Sequence, residues 1–380
     1  MGKFSAIILL GAVSALVAIG FVILTSVSAF ASANNGNAYY FVIRQAIFLG
    51  AGAGVCWLAA KWDYHQWSRF SPALLVLGLA LMAACFLPHF GVRVNGANRW
   101  INLGFIRAQP VELAKFGLMA SLAWWLGTRA GQLKNFRVGV LAPLGMLVAL
   151  AVLCQWQDDI GSAALMLIVA LGLMFVAGTR QRYLVVILAL GVGAIGLMAY
   201  VKPQKWARLT AFTNVEQLTD GINLQPHNAL IAFGSGGISG RGLGQGVQKM
   251  KYLPEAHTDF IFPNIGEELG VIATLLVVLA FLLLVLAGWE IACHAPDQTG
   301  LLLGLGATSL IGLQGLMNMA VVTALMPTKG IGLPFISYGG SNLLLCFLLV
   351  GILLNIHFQA IYEPRKRRPA SLPAAMTARM

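Results

Sequence analysis

Charged side chains inside apolar segments are the residues of this chain whose types and spacing could do chemistry. Glu112 and Lys115 stand three positions apart at the start of an apolar stretch, so on a helix they would share one face and could pair. Ionisable residues in such segments commonly mark a substrate or ion path. The pair could line a substrate site, or it could be a buried salt bridge that only fixes the helix.

Two adjacent carboxylates precede a second apolar stretch. Asp158 and Asp159 stand before Ile160, where a carboxylate suits the positive end of a helix dipole. One of the two could be only a helix cap. The other would then be a candidate for binding a metal ion or a substrate hydroxyl.

Asp259 is the strongest candidate for proton transfer. It lies between the polar pair His257–Thr258 and the apolar run that begins at Phe260. Partial desolvation raises the pKa of a carboxyl group toward the range that suits a general base. Alternatively, Asp259 caps or hydrogen-bonds the next helix. Pro263 followed by Asn264 and then Glu267 resembles the capping box of a helix start, which would leave Asp259 on irregular backbone beside a cavity.

Two glycine-rich segments could bring backbone close to a ligand. Residues 234–246 are dense in glycine but contain neither GxGxxG nor GxxxxGK[ST], so a nucleotide site is weakly supported. Residues 327–342 hold two prolines and four glycines, which exclude a continuous helix. We expect a re-entrant or lid-like segment there.

Composition identifies the elements that must position these residues. Of the 380 residues, 58% are hydrophobic and only 10% are charged, which excludes an ordinary soluble domain. The apolar blocks of about 20 residues predict an all-α polytopic membrane protein rather than a barrel of short alternating strands. Ten spans are predicted, at residues 5–30, 40–60, 70–90, 110–127, 139–156, 160–178, 183–201, 268–292, 300–326 and 341–361. The five cysteines occur singly, so neither a disulfide framework nor a CxxC metal site is indicated.

The basic residues predict the orientation. With a cytoplasmic N-terminus, the inner segments hold 13 Lys and Arg and the short outer loops hold four. The positive-inside rule then places both termini in the cytoplasm and residues 202–267 outside, as a long extracytoplasmic loop between helices 7 and 8 of one membrane domain, residues 1–380. The basic tail 363–380 is interpreted as an anchor on anionic lipid rather than a nucleic-acid site.

Five stretches together carry a family resemblance. They are 96–100 with 109–115 (Gln-Pro-Val-Glu-Leu-Ala-Lys), 157–162 (Gln-Asp-Asp-Ile-Gly-Ser), 240–244 (Gly-Arg-Gly-Leu-Gly), 253–262 (with Pro-Glu-Ala-His-Thr-Asp-Phe-Ile-Phe) and 327–341 (with Ser-Tyr-Gly-Gly-Ser). In this order they resemble the SEDS family (shape, elongation, division and sporulation). The ten predicted spans with both ends inside agree with it.

The resemblance implies roles for individual residues. Asp259 matches the family's essential Asp, Trp100 its loop Trp, and Glu112 with Lys115 its Glu-x-x-Lys pair. Asp159 matches the acid of a Gln-Pro-Asp-x-Gly pattern. The sequence departs from the family at Asp158, where Pro is expected, at Val111, where Ser is common, and at Pro263, where Ala is common.

The implied activity is peptidoglycan glycosyl transfer from lipid II to a nascent glycan strand, outside the bacterial cytoplasmic membrane. Asp259 would be the base for the acceptor hydroxyl. A divalent cation, Mg²⁺ or Mn²⁺, could assist, and no organic cofactor is expected. Other candidates for substrate binding, most of them cations that could neutralise the departing diphosphate, are Arg99, Arg241, Lys249, Lys251, Lys329 and Ser337.

Several alternatives remain at this level. The motifs favour a division-type over an elongation-type family member, and either implies a class B penicillin-binding protein as partner, with other division proteins and no nucleic acid. A lipid II flippase would also suit ten spans and a broken last loop. A non-catalytic scaffold is the third reading. Substitution of Asp259 separates them, because only the enzyme needs a base.

Overall fold

The computed structural model describes residues 2–31, 38–88, 90–94, 96–102, 104, 107–201, 224–250, 256–328 and 330–362. Within these ranges the chain is mostly helical, which confirms the predicted all-α class. The helices are α1 Gly2–Ala31, α2 Tyr40–Lys61, α3 Tyr64–Ala84, α4 Pro110–Thr128, α5 Ala142–Trp156, α6 Ile160–Ala177, α7 Gln181–Val201, α8 Leu224–Gly236, α9 Ile261–Cys293, α10 Gln298–Val322 and α11 Gly340–Tyr362. The predicted basic tail lies outside the described residues.

Ten long helices occupy the positions of the ten predicted spans. Among the described residues, eight of them are long and apolar enough to cross a membrane, with α5 counted together with the π-helical turn Arg137–Leu141 that precedes it. The other two are α4, which carries Glu112 and Lys115, and α7, whose apolar part is shorter. The remaining helix, α8, is shorter and lies within the predicted outer loop.

Helix α4 forms the centre of the bundle. Most of its side chains are buried, including Phe116 and Leu122. It packs closely on α3: a β-carbon on Gly117 would lie 2.6 Å from the Cα of Leu75, so only glycine fits there. Small residues of this kind let two helices approach closely. In lipid, van der Waals packing rather than the hydrophobic effect drives the association of helices. The central position of α4 carries its charged pair into the interior.

Helix α9 is broken at Gly270, which has φ 80° and ψ −175°. The glycine-rich loop within residues 234–246 supplies the hydrogen bonds that the break removes. Arg241 N donates to the carbonyl oxygen of Glu267 at 2.9 Å, and Val271 N donates to that of Gly237 at 3.0 Å. The first part of α9, up to residue 269, is therefore a separate stub. The predicted start of this span, residue 268, lies two residues before the break.

A small antiparallel sheet lies between α3 and α4. Its strands are β1 Gly91–Val94, β2 Ala97–Asn102 and β3 Arg107–Ala108, in that spatial order. Val92 faces Trp100 across the first pair, and Ile101 faces Ala108 across the second. The sequence interpretation placed Trp100 in a loop, so this sheet is a finding of the structure.

The last outer segment is irregular between α10 and α11, as predicted from its prolines and glycines. It packs into the bundle rather than lying on its surface, because Ile331, Leu333, Phe335 and Ile336 are buried. The described part of the segment is therefore folded into the protein, and its re-entrant path in the membrane stays a prediction. Lys329 lies outside the described residues.

Candidate active site

A cavity of about 540 Å³ lies where the sheet, the start of α4 and α6, the turn before α9 and the last outer segment meet. Six of the predicted site residues line this cavity: Arg99, Trp100, Glu112, Lys115, Asp159 and Asp259. They come from four separate parts of the sequence. The fold therefore gathers most of the predicted chemistry in one place.

Asp259 lies in the turn that precedes α9. The helix begins at Ile261, so Asp259 is on irregular backbone, as predicted. The turn is closed by Asn264, whose Nδ2 donates to the carbonyl oxygens of Ala256 at 3.0 Å and Phe260 at 3.1 Å. Burial and these bonds hold the backbone of the turn while the Asp259 carboxylate lines the cavity.

The predicted capping box at Pro263–Glu267 was wrong. The residue before α9 is Phe260, and it makes no side-chain cap. The Glu267 carboxylate instead accepts a hydrogen bond from Val247 N at 2.9 Å. It holds the glycine-rich loop against α9, a tertiary contact that helix-start rules do not consider.

The carboxylate of Asp259 and the guanidinium of Arg99 converge on Gly330. A β-carbon on Gly330 would lie 3.1 Å from Oδ2 of Asp259 and 3.7 Å from Nη1 of Arg99. A side chain at position 330 would fill the space between the two groups. A carboxylate and a guanidinium therefore face the same small volume beside the backbone of Gly330.

A polar chain forms the floor of the cavity. Nζ of Lys115 lies 2.8 Å from Oε1 of Glu112, so the predicted pairing exists, and both side chains are almost fully buried. Nζ also donates to Oε1 of Gln314 at 3.1 Å. Gln314 in turn donates to Oδ1 of Asn342 at 2.9 Å. The charge of Lys115 is thus already matched by Glu112.

The two adjacent aspartates separate into different roles. Asp159 is the N-cap of α6 and accepts from the backbone N and Oγ of Ser162 at 3.1 and 2.7 Å. Asp158 is exposed and has a positive φ of 56°. The cap is therefore Asp159, and both residues line the cavity.

Lys249 does not reach the cavity, contrary to its prediction as a diphosphate ligand. Its ammonium is buried and donates to Oε1 of Glu268 at 2.5 Å and to Oγ of Ser26 at 2.6 Å. Glu268 also accepts from Gly244 N at 2.9 Å. This ion pair anchors the glycine-rich loop to α1 and α9, so the charge of Lys249 is already neutralised.

Arg241 and Ser337 also lie outside the cavity lining. Nε of Arg241 donates to the carbonyl oxygen of Ser235 at 3.2 Å, because its loop folds back onto α8 and α9. Oγ of Ser337 donates to the carbonyl oxygen of Thr258 at 2.6 Å and accepts from Leu333 N at 2.7 Å. Ser337 thus fixes the last outer segment beside the Asp259 turn. Lys251 and Lys329 lie outside the described residues.

Sequence reasoning missed the polar residues of α10. Gln314 and Asn318 are almost fully buried, and each hydrogen-bonds groups around the cavity. They stand four residues apart in an otherwise apolar stretch. The rule that singled out Glu112 and Lys115, that polar groups inside spans are costly and functional, would have found them.

Tyr338 is an aromatic group at the cavity, and Arg44 is its neighbour. Tyr338 lines the cavity, and burial raises the pKa of its phenol against the opposing effect of Arg44. The guanidinium of Arg44 lies 4.7 Å from the centre of the Tyr40 ring. Tyr338 is therefore a neutral hydrogen-bonding group at this edge.

The carboxylates of the described residues do not form a cluster that would hold a metal ion. In the ranges that the structure describes, no group of three or more His, Cys, Asp or Glu is arranged to hold one. The carboxylate of Asp159 instead binds a helix N-terminus, that of Glu112 pairs with Lys115, and that of Asp259 faces Gly330.

The family can be assigned from comparison with known proteins. The family described as "Cell cycle protein", of FtsW, RodA and SpoVE, matches residues 6–362. The chain belongs to this family. This confirms the resemblance seen in the five sequence stretches.

Relatives within this family are similar over nearly their full length. The chain is 39% identical over 358 residues to a Geobacter sulfurreducens protein named "Probable peptidoglycan glycosyltransferase FtsW", covering 93% of this chain and 95% of the relative. It is 39% identical over 360 residues to a Hahella chejuensis protein of the same name, covering 93% and 90%.

Two solved structures share the fold. The Thermus thermophilus rod shape determining protein RodA is 27% identical, with a TM-score of 0.66, covering 94% of this chain and 97% of that one. A chain from a structure described as "Structural coordination of polymerization and crosslinking by a peptidoglycan synthase complex" is 25% identical, with a TM-score of 0.73, covering 94% and 98%.

Proposed function

We propose that this chain is a peptidoglycan glycosyltransferase that polymerises lipid II into glycan strands during septal cell-wall synthesis. The observation that carries the proposal is the convergence of Asp259 and Arg99 on Gly330 in a polar cavity. Glycosyl transfer from a lipid diphosphate needs one base and a cation near the departing group. The names of the FtsW relatives support the same activity.

Asp259 is the base in this mechanism. Its carboxylate accepts the proton of the acceptor sugar's 4-hydroxyl as that oxygen attacks the anomeric carbon of the donor. The carbon–oxygen bond to the diphosphate breaks on the opposite face, so the configuration inverts. Asp259 carries out this step from a turn whose backbone is held by Asn264, Ser337 and Asn318.

Arg99 stabilises the departing diphosphate. Nε and Nη2 of Arg99 are fixed by the carbonyl oxygens of Gln157 and Asp158, and Nη1 is directed at Gly330. Because the guanidinium is already held in place, it needs little reorganisation when negative charge develops on the leaving group. Lys115 contributes less net charge, since Glu112 is within 2.8 Å. Lys251 and Lys329 remain predicted cations of the same site.

Insertion into the membrane is inferred from the apolar helices, and orientation from the distribution of basic residues. Multi-pass insertion is supported by the eight apolar helices. The Lys and Arg distribution supports a cytoplasmic location for both termini and an outward-facing cavity in the bacterial cytoplasmic membrane.

The proposed partner is a class B penicillin-binding protein that cross-links the new strand, together with other division proteins. A similar solved chain belongs to a structure described as a peptidoglycan synthase complex. The elongation-type function of RodA is the alternative within the family, given the likeness to that fold.

Glycan polymerisation from lipid II by the purified protein, alone and with its cognate transpeptidase, tests the proposal. Asp259→Asn keeps the shape of the side chain and removes the base, so we expect a loss of at least about 100-fold in rate. Asp297→Asn, a carboxylate change at the opposite end of the bundle, is the control and should leave the rate unchanged. Equal polymerisation by wild type and Asp259→Asn would remove Asp259 as the base. No polymer under any partner or metal condition would favour the flippase or scaffold.

A further inference from the structure

We propose that Asn318 and Gln314, one turn apart on α10, are positioning residues that set the gap between Asp259 and the last outer segment. The inference rests on the proposed function, since it concerns the geometry of that reaction. Both amides are buried, and between residues 310 and 322 they are the only polar side chains of the helix. An amide in such surroundings is unfavourable unless it is hydrogen-bonded, so its partners show what it holds.

Asn318 joins the two backbone segments that face each other across the reaction volume. Its Nδ2 donates to the carbonyl oxygen of Asp259 at 2.8 Å and to that of Ile331 at 2.6 Å. Ile331 follows Gly330, the residue on which the Asp259 carboxylate and Arg99 converge. One amide group therefore fixes the distance between the base and the backbone opposite it.

Gln314 binds the same outer segment at the next residue, Gly332. Its Nε2 donates to the carbonyl oxygen of Gly332 at 3.0 Å and to Oδ1 of Asn342 at 2.9 Å. Its Oε1 accepts from Lys115. Residues 330–332 are thus tied through α10 to both the Asp259 turn and the Glu112–Lys115 pair. Because this segment is neither helix nor strand, its position depends on such contacts.

Asn318 acts through these contacts and not on the substrate. It is outside the lining of the cavity, whereas Asp259, Gly330 and Ile331 are part of that lining. Truncation of Asn318 would leave two buried carbonyl groups without their donor and allow the two segments to move apart. A displacement of about 1 Å at reacting groups costs about 100-fold in rate. Substrate binding should change little.

The test compares Asn318→Ala with Asn355→Ala. Asn355 is also a buried asparagine that joins two backbone groups, Ala60 O and Tyr64 N, but at the opposite end of the bundle. With lipid II as substrate, we expect Asn318→Ala to lower kcat by about 10- to 100-fold and to leave KM within about threefold. Asn355→Ala should keep kcat per folded molecule. Gln314 also lines the cavity, so Gln314→Ala should lower kcat and raise KM as well.

A second measurement makes the inference testable without catalysis. Hydrogen exchange followed by mass spectrometry should show faster exchange of the peptides around residues 256–260 and 330–339 in Asn318→Ala, and not in Asn355→Ala. Wild-type kcat in Asn318→Ala, or equal losses of kcat in both variants, would overturn the inference. So would unchanged exchange in Asn318→Ala. A wild type without polymerase activity would instead count against the proposed function, and the exchange data would still decide this inference.

Discussion

Arg99 donates from Nη2 to the carbonyl oxygen of Asp158 at 2.6 Å and from Nε to that of Gln157 at 2.9 Å. Two successive carbonyl groups thus face one guanidinium. The positive φ of Asp158, which few non-glycine residues adopt, is part of this bend. The contact fixes strand β2 against the start of α6 and directs the remaining nitrogen of Arg99 at Gly330.

Arg99→Lys should therefore lower the rate of glycan polymerisation by about 100-fold, although the charge is kept. A lysine ammonium lacks the planar fork that binds two carbonyl groups at once. Arg93→Lys is the matched control, because Arg93 is exposed on β1, donates to Gly96 within its own hairpin and is outside the cavity lining. Similar rates for both variants would show that the fixed orientation of Arg99 is unimportant.

Hydropathy and local spacing predict a large part of this molecule. The ten long helices follow from apolar blocks of sufficient length, and the irregular last segment follows from its prolines and glycines. The Glu112–Lys115 pair follows from helical spacing alone. Each of these features is determined within a few residues of sequence.

The rest depends on contacts between distant parts of the chain. Lys249 looks like a free cation in sequence, but its partners are Glu268 and Ser26, the latter 223 residues away. Glu267 looks like a capping residue, but it binds a loop. Such pairings are decided by packing, so the assignment of Lys249 and Arg241 to the diphosphate could not be checked locally.

A single substitution that breaks the buried ion pair between Lys249 and Glu268 should destabilise the fold strongly. Both side chains are fully buried, so Lys249→Met leaves an uncompensated carboxylate and should cost about 3–5 kcal/mol of the free energy of unfolding. The double variant Lys249→Met with Glu268→Gln removes both charges and should recover part of that loss. Denaturant titration in detergent measures this. Additive losses in the double variant would contradict the pairing.

The break in α9 should require glycine at position 270. A β-carbon there would lie 2.3 Å from the carbonyl oxygen of Ile238, and φ is positive. Gly270→Ala should therefore lower the free energy of unfolding by more than backbone strain alone would, which is about 1–3 kcal/mol. It should also reduce the rate of glycan polymerisation, because it moves the first part of α9, which follows Asp259. Gly145→Ala, on α5 with open space around it, should be neutral or slightly stabilising. Equal stability of the two variants would argue against the loop contact at the break.

At the end of the bundle opposite the cavity, Asp63 and Asp297 should make stability depend on pH. His65 lies 2.8 Å from each carboxylate. Burial alone would raise the pKa of Asp297, but hydrogen bonds from His65, Gly300 N and Tyr64 outweigh it and hold that pKa below its usual range. The pKa of Asp63 is also lowered, because hydrogen bonds, including those from Gln359 and His65, outweigh its burial.

A carboxyl group with a lowered pKa in the folded state stabilises the fold above its unfolded pKa of about 3.9, and that contribution is lost as pH falls through the folded value. Thermal unfolding in detergent should therefore show Tm decreasing as pH falls below about 5. Asp297→Asn keeps an oxygen to cap α10 but cannot ionise, so its Tm should be lower at neutral pH and should depend less on pH in the same range. Parallel profiles for wild type and Asp297→Asn would show that the ionised carboxylate does not stabilise this junction.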